Sequence, residues 1–131
     1  MEVKKVIIGK PGSGKSTLAL HHAKSYKNNE VFKTSGNMLK SVFCFSGCSK
    51  ETKLVIVDEI TSIAQLEKLI FSEEIEVFSR YNEPFTINPK IILVCSSNIK
   101  LKDLPEGASF ALRVEVTKCR KPIIFKSKIN Q

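Results

Sequence analysis

The sequence predicts an α/β domain, a central parallel sheet with helices on its faces. Three observations predict it. Short apolar runs at 3–8, 54–57 and 91–95 each stop at glycine or polar residues, as buried parallel strands do. Helical patterns stand between the runs. No repeat, low-complexity stretch or Gly/Ser/Pro-rich linker divides the 131 residues, a length that suits one domain.

Each element follows in order. Val3–Ile8 is a buried strand ending at Gly9, and Ser16–Lys27 is a helix with Leu18, Ala19 and Ala23 inward, stopped at Asn28-Asn29. Val31–Lys33 is a candidate second strand. Residues 34–53 have no clear period, and Met38–Phe45 reads equally as a short helix or strand. Leu54–Val57 is a strand that stops at Asp58-Glu59. Ser62 and Gln65 have capping-box spacing, ahead of a helix whose face carries Ile63, Leu66, Leu69 and Ile70. Ile75–Ser79 and Phe85–Ile87 alternate around an exposed tip, which reads as a β-hairpin inserted before the next strand. Ile91–Cys95 and Val114–Thr117 are the last two strands.

Hydrophobic residues at 42% and charged residues at 26% exclude a disordered chain or a coiled coil. No apolar run approaches the roughly 20 residues that span a bilayer, and the first residues lack a signal-peptide pattern. A soluble cytoplasmic protein without a membrane span is expected. Lys plus Arg number 21 against 13 Asp plus Glu, a net charge of +8 that favours polyanionic partners. From Lys118 onward five residues are basic (Lys118, Arg120, Lys121, Lys126, Lys128) and none is acidic. The expected organisation is a core over 1–117 and a basic tail over 118–131 within one domain. Cys44, Cys48, Cys95 and Cys119 read as free thiols, since their spacing suits zinc poorly.

The strongest chemical signal is Gly9-Lys-Pro-Gly-Ser-Gly-Lys15-Ser16, a full G-x-x-x-x-G-K-[ST] pattern between a strand and a helix. Glycines let several backbone N–H groups converge on phosphate, and the helix N-terminus adds positive potential. The candidate nucleotide-binding residues are Gly9, Pro11, Gly12, Ser13, Gly14, Lys15, Ser16 and Thr17. Lys15 would reach the terminal phosphates of ATP or another NTP, and Ser16 would hold Mg²⁺. Asp58, at the end of an apolar strand, is the second candidate magnesium residue. Glu59 beside it is the candidate general base for an attacking water. Asn98 follows the strand Ile91–Cys95. If that strand lies between the first strand and the Asp58 strand, Asn98 faces the γ-phosphate.

In order and spacing these motifs resemble the superfamily 3 helicases, AAA+-like P-loop NTPases of the ASCE group. They occur in replication proteins of viruses and mobile elements. The resemblance spans about residues 3–117. It implies an ATPase that couples hydrolysis to movement or unwinding of single-stranded nucleic acid, working as a homo-oligomeric ring of up to six copies. Gly9–Ser16 resembles motif A, Asp58-Glu59 motif B, and "TINPKIILVCSSN" motif C with Asn98 as sensor. The resemblance places Arg80 and Tyr81 in the nucleic-acid-facing hairpin. It makes Arg113 an arginine finger that acts on a neighbouring subunit's ATP. Lys118, Arg120 and Lys121 are further candidates for phosphate-backbone contact.

The chain departs from the family in three respects. The family's usual preceding origin-binding or nicking domain is not read in these residues, so a replication partner is expected. Residues 73–83 hold four glutamates and one arginine, where the family's hairpin is richer in lysine. Arg113 stands without an adjacent basic residue. Other readings stay open on the residues alone. "GKPGSGKS" with "IVDE" also resembles the assembly ATPases of filamentous phages, which act with protein partners. A small nucleotide kinase and a nucleotide-gated switch without turnover use the same loop.

Overall fold

The structure is a computed structural model that describes residues 4–10, 12–70, 74–99 and 114–119. Five strands, β1 (Lys4–Gly9), β2 (Val31–Ser35), β3 (Leu54–Ile60), β6 (Lys90–Ser96) and β7 (Val114–Cys119), form one parallel sheet in the order β2-β3-β6-β1-β7. Strands β4 (Ile75–Ser79) and β5 (Asn82–Ile87) pair antiparallel in a separate two-stranded sheet. The helices are α1 (Lys15–Ala23) and α2 (Ile63–Ile70), with short 3-10 turns over Asn28–Glu30 and Gly36–Lys40.

Alternation along the strands sorts the core into two layers. Val6, Ile8, Val55, Val57, Ile91, Leu93 and Cys95 face one side, under Leu66 and Leu69 of α2 and Ile75, Val77 and Ile87 of the hairpin. Ile7, Leu54, Ile56, Ile92 and Val94 face the other, under Ala19 of α1 with Leu18, Ala23, Tyr26 and Val31 around it. The hairpin is therefore a wall of the core on one side and exposed at its tip. Val6, Val55, Val57, Leu93, Val94 and Cys95 are wholly buried, at 0% exposure, so the middle of the sheet is dry.

Several elements differ in extent from the sequence expectation. Helix α1 starts at Lys15 and ends at Ala23 rather than Lys27, because Lys24 N–H turns to His21 O and Tyr26 N–H to Ala23 O. Strand β3 runs past Asp58 to Ile60, since pairing with β6 resumes at Ile60 after a bulge. Strand β5 begins at Asn82 and includes Pro84, which an edge strand tolerates. Strand β7 continues to Cys119, so Lys118 pairs in register beside Ile8. The expected capping box forms in both directions, Gln65 N–H to Ser62 Oγ at 3.3 Å and Ser62 N–H to Gln65 Oε1 at 3.3 Å.

Candidate nucleotide site at the C-terminal edge of the sheet

The apolar strands β1, β3 and β6 all end at one edge, and their polar ends surround a cleft of about 660 Å³. Gly12, Gly14, Lys15, Ser16 and Thr17 line one side. Asp58, Glu59, Thr61, Gln65, Ser96 and Asn37 line the rest. The loop between β1 and α1 turns where Gly12 and Gly14 adopt φ of 82° and 87°, a region open to glycine and strained for other residues. Gly14 is the N-cap of α1, so the loop runs straight into the positive end of the helix.

Lys15 folds back over the loop, and its ammonium donates to the Gly9 carbonyl at 2.9 Å. Ser13 is 4% exposed, and its hydroxyl is buried without a hydrogen-bond partner among the described residues. An orphan hydroxyl in a loop built to receive an anion fits a phosphate group. The decisive pairing joins residues 42 positions apart: the Ser16 hydroxyl donates to Asp58 Oδ2 at 3.1 Å. A hydroxyl and a carboxylate in contact at the mouth of the loop are hard oxygen donors suited to Mg²⁺.

Glu59 is the one non-glycine residue with positive φ among those described, at 57°. The bulge between Val57 and Ile60 takes its amide out of the ladder, and Asp58 Oδ1 accepts that N–H at 2.7 Å. A left-handed glutamate costs on the order of 1–3 kcal/mol, and such strain concentrates at working sites. Its side chain is exposed in the cleft. The backbone at Glu59 is also clamped from outside. A Cβ on Gly36 would stand 2.6 Å from the Glu59 carbonyl oxygen, so only glycine fits there.

Strand β6 lies between β1 and β3, which meets the condition set for Asn98. Its amide is engaged by protein: Nδ2 donates to the Thr61 carbonyl at 2.9 Å, and Oδ1 accepts from the Ser96 hydroxyl. Ser96, not Asn98, is the β6 residue that lines the cleft. Arg80 and Tyr81 sit at the hairpin turn, with Tyr81 92% exposed, and neither lines the cleft. Pro11, Arg113, Arg120 and Lys121 lie outside the described residues, as does the side chain of Lys118.

Sequence reasoning missed Asn37, Thr61, Gln65 and Ser96 as cleft residues. Gln65 is the most informative. Its Oε1 accepts from Thr61 N–H at 2.9 Å and Ser62 N–H at 3.3 Å, while its Nε2 donates to Gly36 O at 3.2 Å. One amide thus ties the start of α2 to the turn after β2. The capping-box spacing is the one signal in the sequence, and it covers one of these three bonds, that from Ser62 N–H.

The thiols behind the site are inert. Burial pushes Cys95 up to about 12, with the nearby Lys15 opposing and Asp58 adding to the shift. Burial likewise pushes Cys48 up to about 11 and raises Cys44, against a contact with the Thr34 hydroxyl. Buried thiols with raised pKa are poor nucleophiles and poor ligands. No cluster of three His, Cys, Asp or Glu placed to hold a metal occurs among the described residues.

Comparison with known proteins adds the family. Residues 7–111 match the family described as "Family of unknown function (DUF5906)". The chain belongs to this family. No curated protein sequence matches it. Solved structures similar to the chain include the apo A form of the NrS-1 C-terminal region, at 17% identity and a TM-score of 0.63, over 98% of this chain and 31% of that one. A second structure of that region, 305–718, gives 17% identity and a TM-score of 0.59, over 98% and 30%. NtrX from Brucella abortus in complex with ADP gives 15% identity and a TM-score of 0.49, over 92% and 33%. The chain spans about a third of the length of these structures. With its strand order, its glycine loop and the likeness to the NrS-1 region, this family member has a P-loop NTPase fold, a parallel sheet flanked by helices. No described helix is long and apolar enough to cross a membrane.

Proposed function

We propose that the chain is the ATPase core of a nucleic-acid motor of the superfamily 3 type. The observation that carries the reading is the Ser16–Asp58 contact at the mouth of the glycine loop, which supports a Mg²⁺-NTP site. When bound, Mg²⁺ supplies charge neutralisation on the phosphates. The chain's own residues do the rest. Backbone amides from Gly12 to Ser16 cradle phosphate, and Lys15 exchanges the Gly9 carbonyl for it. Ser16 and Asp58 hold the metal. Glu59 takes the proton of the attacking water, its carboxylate exposed beside Asp58. Asn98 and Ser96 fix the polar end of β6 near the water.

Arg113 completes the site of a neighbouring copy in a ring, and single-stranded nucleic acid is the polymer moved, in replication of a virus or mobile element. The core extends over 1–117, and the residues after it add positive charge. The test is ATPase rate against protein concentration, with Mg²⁺, with and without single-stranded DNA or RNA. A rate that climbs steeply with concentration and rises with nucleic acid is expected. Lys15→Ala and Glu59→Gln each remove turnover. A rate flat across a nucleic-acid titration, but raised by a protein partner, would favour an assembly motor instead.

A further inference from the structure

The strands of the sheet also share a beginning, and it is basic. Lys53 immediately precedes β3, and Lys90 opens β6. Lys4 opens β1, and Lys27 precedes the 3-10 turn that leads into β2. In the sheet order β3-β6-β1 the backbones of Lys53, Lys90 and Lys4 follow one another along the N-terminal edge. Neighbouring strands stand about 4.8 Å apart. The spacing is fixed by backbone hydrogen bonds that run across the edge: Lys53 N–H to Glu30 O at 2.7 Å, and Lys90 N–H to Lys53 O at 2.9 Å.

A second cleft of about 670 Å³ opens at this edge, between the root of the hairpin and the turn before β3. Lys50, Lys53 and Lys90 line it together with Thr52, Thr86 and Asn88. None of its described lining residues is a carboxylate. The Lys50 ammonium stands over the Phe85 ring, 5.7 Å from its centroid. Glu30 is the acid that touches this row. It bonds Lys53 at 3.2 Å and leaves Lys50 and Lys90 exposed.

We propose that this N-terminal edge binds the phosphodiester backbone of single-stranded nucleic acid, at the opposite end of the sheet from the nucleotide. Three exposed lysines on one cleft, Lys50, Lys53 and Lys90, suit a repeating anion better than one phosphate, which would engage one or two of them. Hydroxyl and amide side chains in the cleft suit sugars and bases. The exposed large apolar residues Leu20, Met38, Val42, Phe43 and Tyr81 lie outside the cleft, so a lipid surface would find no anchor here. The proposal rests on the motor reading for its partner class, but its position differs from the acidic hairpin that the family resemblance points to.

The test reads binding, not turnover. Fluorescence anisotropy is measured with labelled oligo(dT) and oligo(U), against a DNA duplex and against vesicles of phosphatidylcholine and phosphatidylserine. The double variant Lys50→Glu, Lys90→Glu is expected to bind either oligonucleotide at least tenfold more weakly. Its salt slope should fall by about 1.4, two contacts' worth on a single strand. Lys50→Arg with Lys90→Arg should restore binding, and thermal unfolding should show both variants folded. Lys15→Ala should bind normally, and this holds even if the chain proves not to hydrolyse ATP. Unchanged affinity in the charge-reversal variant overturns the proposal. So does a wild-type chain that binds neither oligonucleotide, or one that prefers duplex or vesicles.

Discussion

The two edges of one sheet hold clefts of about 660 and 670 Å³, nearly equal in size and opposite in chemistry. At the C-terminal edge, Asp58 and Glu59 face a glycine loop and a helix N-terminus. At the N-terminal edge, lysines line the opening, and Glu30, which pairs with Lys53, is not among the lining residues. Parallel strands produce this division. Every strand begins at one edge and ends at the other, so a residue type repeated at strand starts accumulates as a row. The acids at strand ends offset the positive loop locally and leave the net basicity to be expressed elsewhere. The difference teaches that an overall charge of +8 is not a property of the whole surface.

The sharpest way to break the comparison is Lys15→Ala. It should lower ATP turnover by more than ~100-fold, the scale for losing a preorganised donor to developing charge, while oligonucleotide affinity stays unchanged. If both activities fall together, the edges are not separate sites. Next is Gly36→Ala, whose Cβ would collide with the Glu59 carbonyl. A loss of ~1–3 kcal/mol in urea unfolding is expected, with a fall in kcat beyond that in KM. Gln65→Leu leaves Gly36 O and two N–H groups of the α2 start unpaired. It should lower kcat about tenfold and raise amide hydrogen exchange over 36–40, without effect at the N-terminal edge.

The core between the edges responds to alkali. Cys95 and Cys48 ionise less readily folded than unfolded, so their contribution to stability is complete below about pH 9. It is lost as pH rises toward about 12, where unfolded thiols shed protons first. Thermal melts from pH 8 to 11 should show the fall, and Cys95→Ala should flatten it. The smallest effect is at Glu30. The Lys27 backbone N–H, then Lys53, hold its carboxyl below the usual range. Its contribution is present above its ordinary value of 4.5 and disappears as pH falls. Glu30→Gln should flatten that acid limb slightly and tighten oligonucleotide binding a few-fold.

What could be read from the sequence was local. The glycine loop, the strand before Asp58 and the Ser62–Gln65 cap depend on residues within one or two turns of chain. The segment 34–53 has no readable period, because Leu39, Phe45 and Cys48 pack on the sheet from 3-10 and tight turns. The reach of β3 past Asp58 depends on pairing with β6, which no window around Asp58 contains. Gln65 shows both cases in one side chain: its bond to Ser62 is written in the spacing, while its bond to Gly36 spans 29 positions. The lysine cleft is invisible for the same reason, since Lys50, Lys53 and Lys90 meet only when the strand order is known. Asn98 was placed by that order, but the direction of its amide depends on Thr61.

The central position of β1 has a bearing on how the chain acquires its shape. Among the described strands, β1 is flanked by β6 and β7, which follow it far along the chain, while β2 and β3 can pair as soon as they emerge. The phosphate loop therefore hangs from a strand without neighbours until Lys90–Ser96 has been synthesised and has crossed back over the chain. Such non-local closure is slow. On the proposed reading, nucleotide capture would follow that closure, and protection by ATP during refolding would time the docking of β6 against β1.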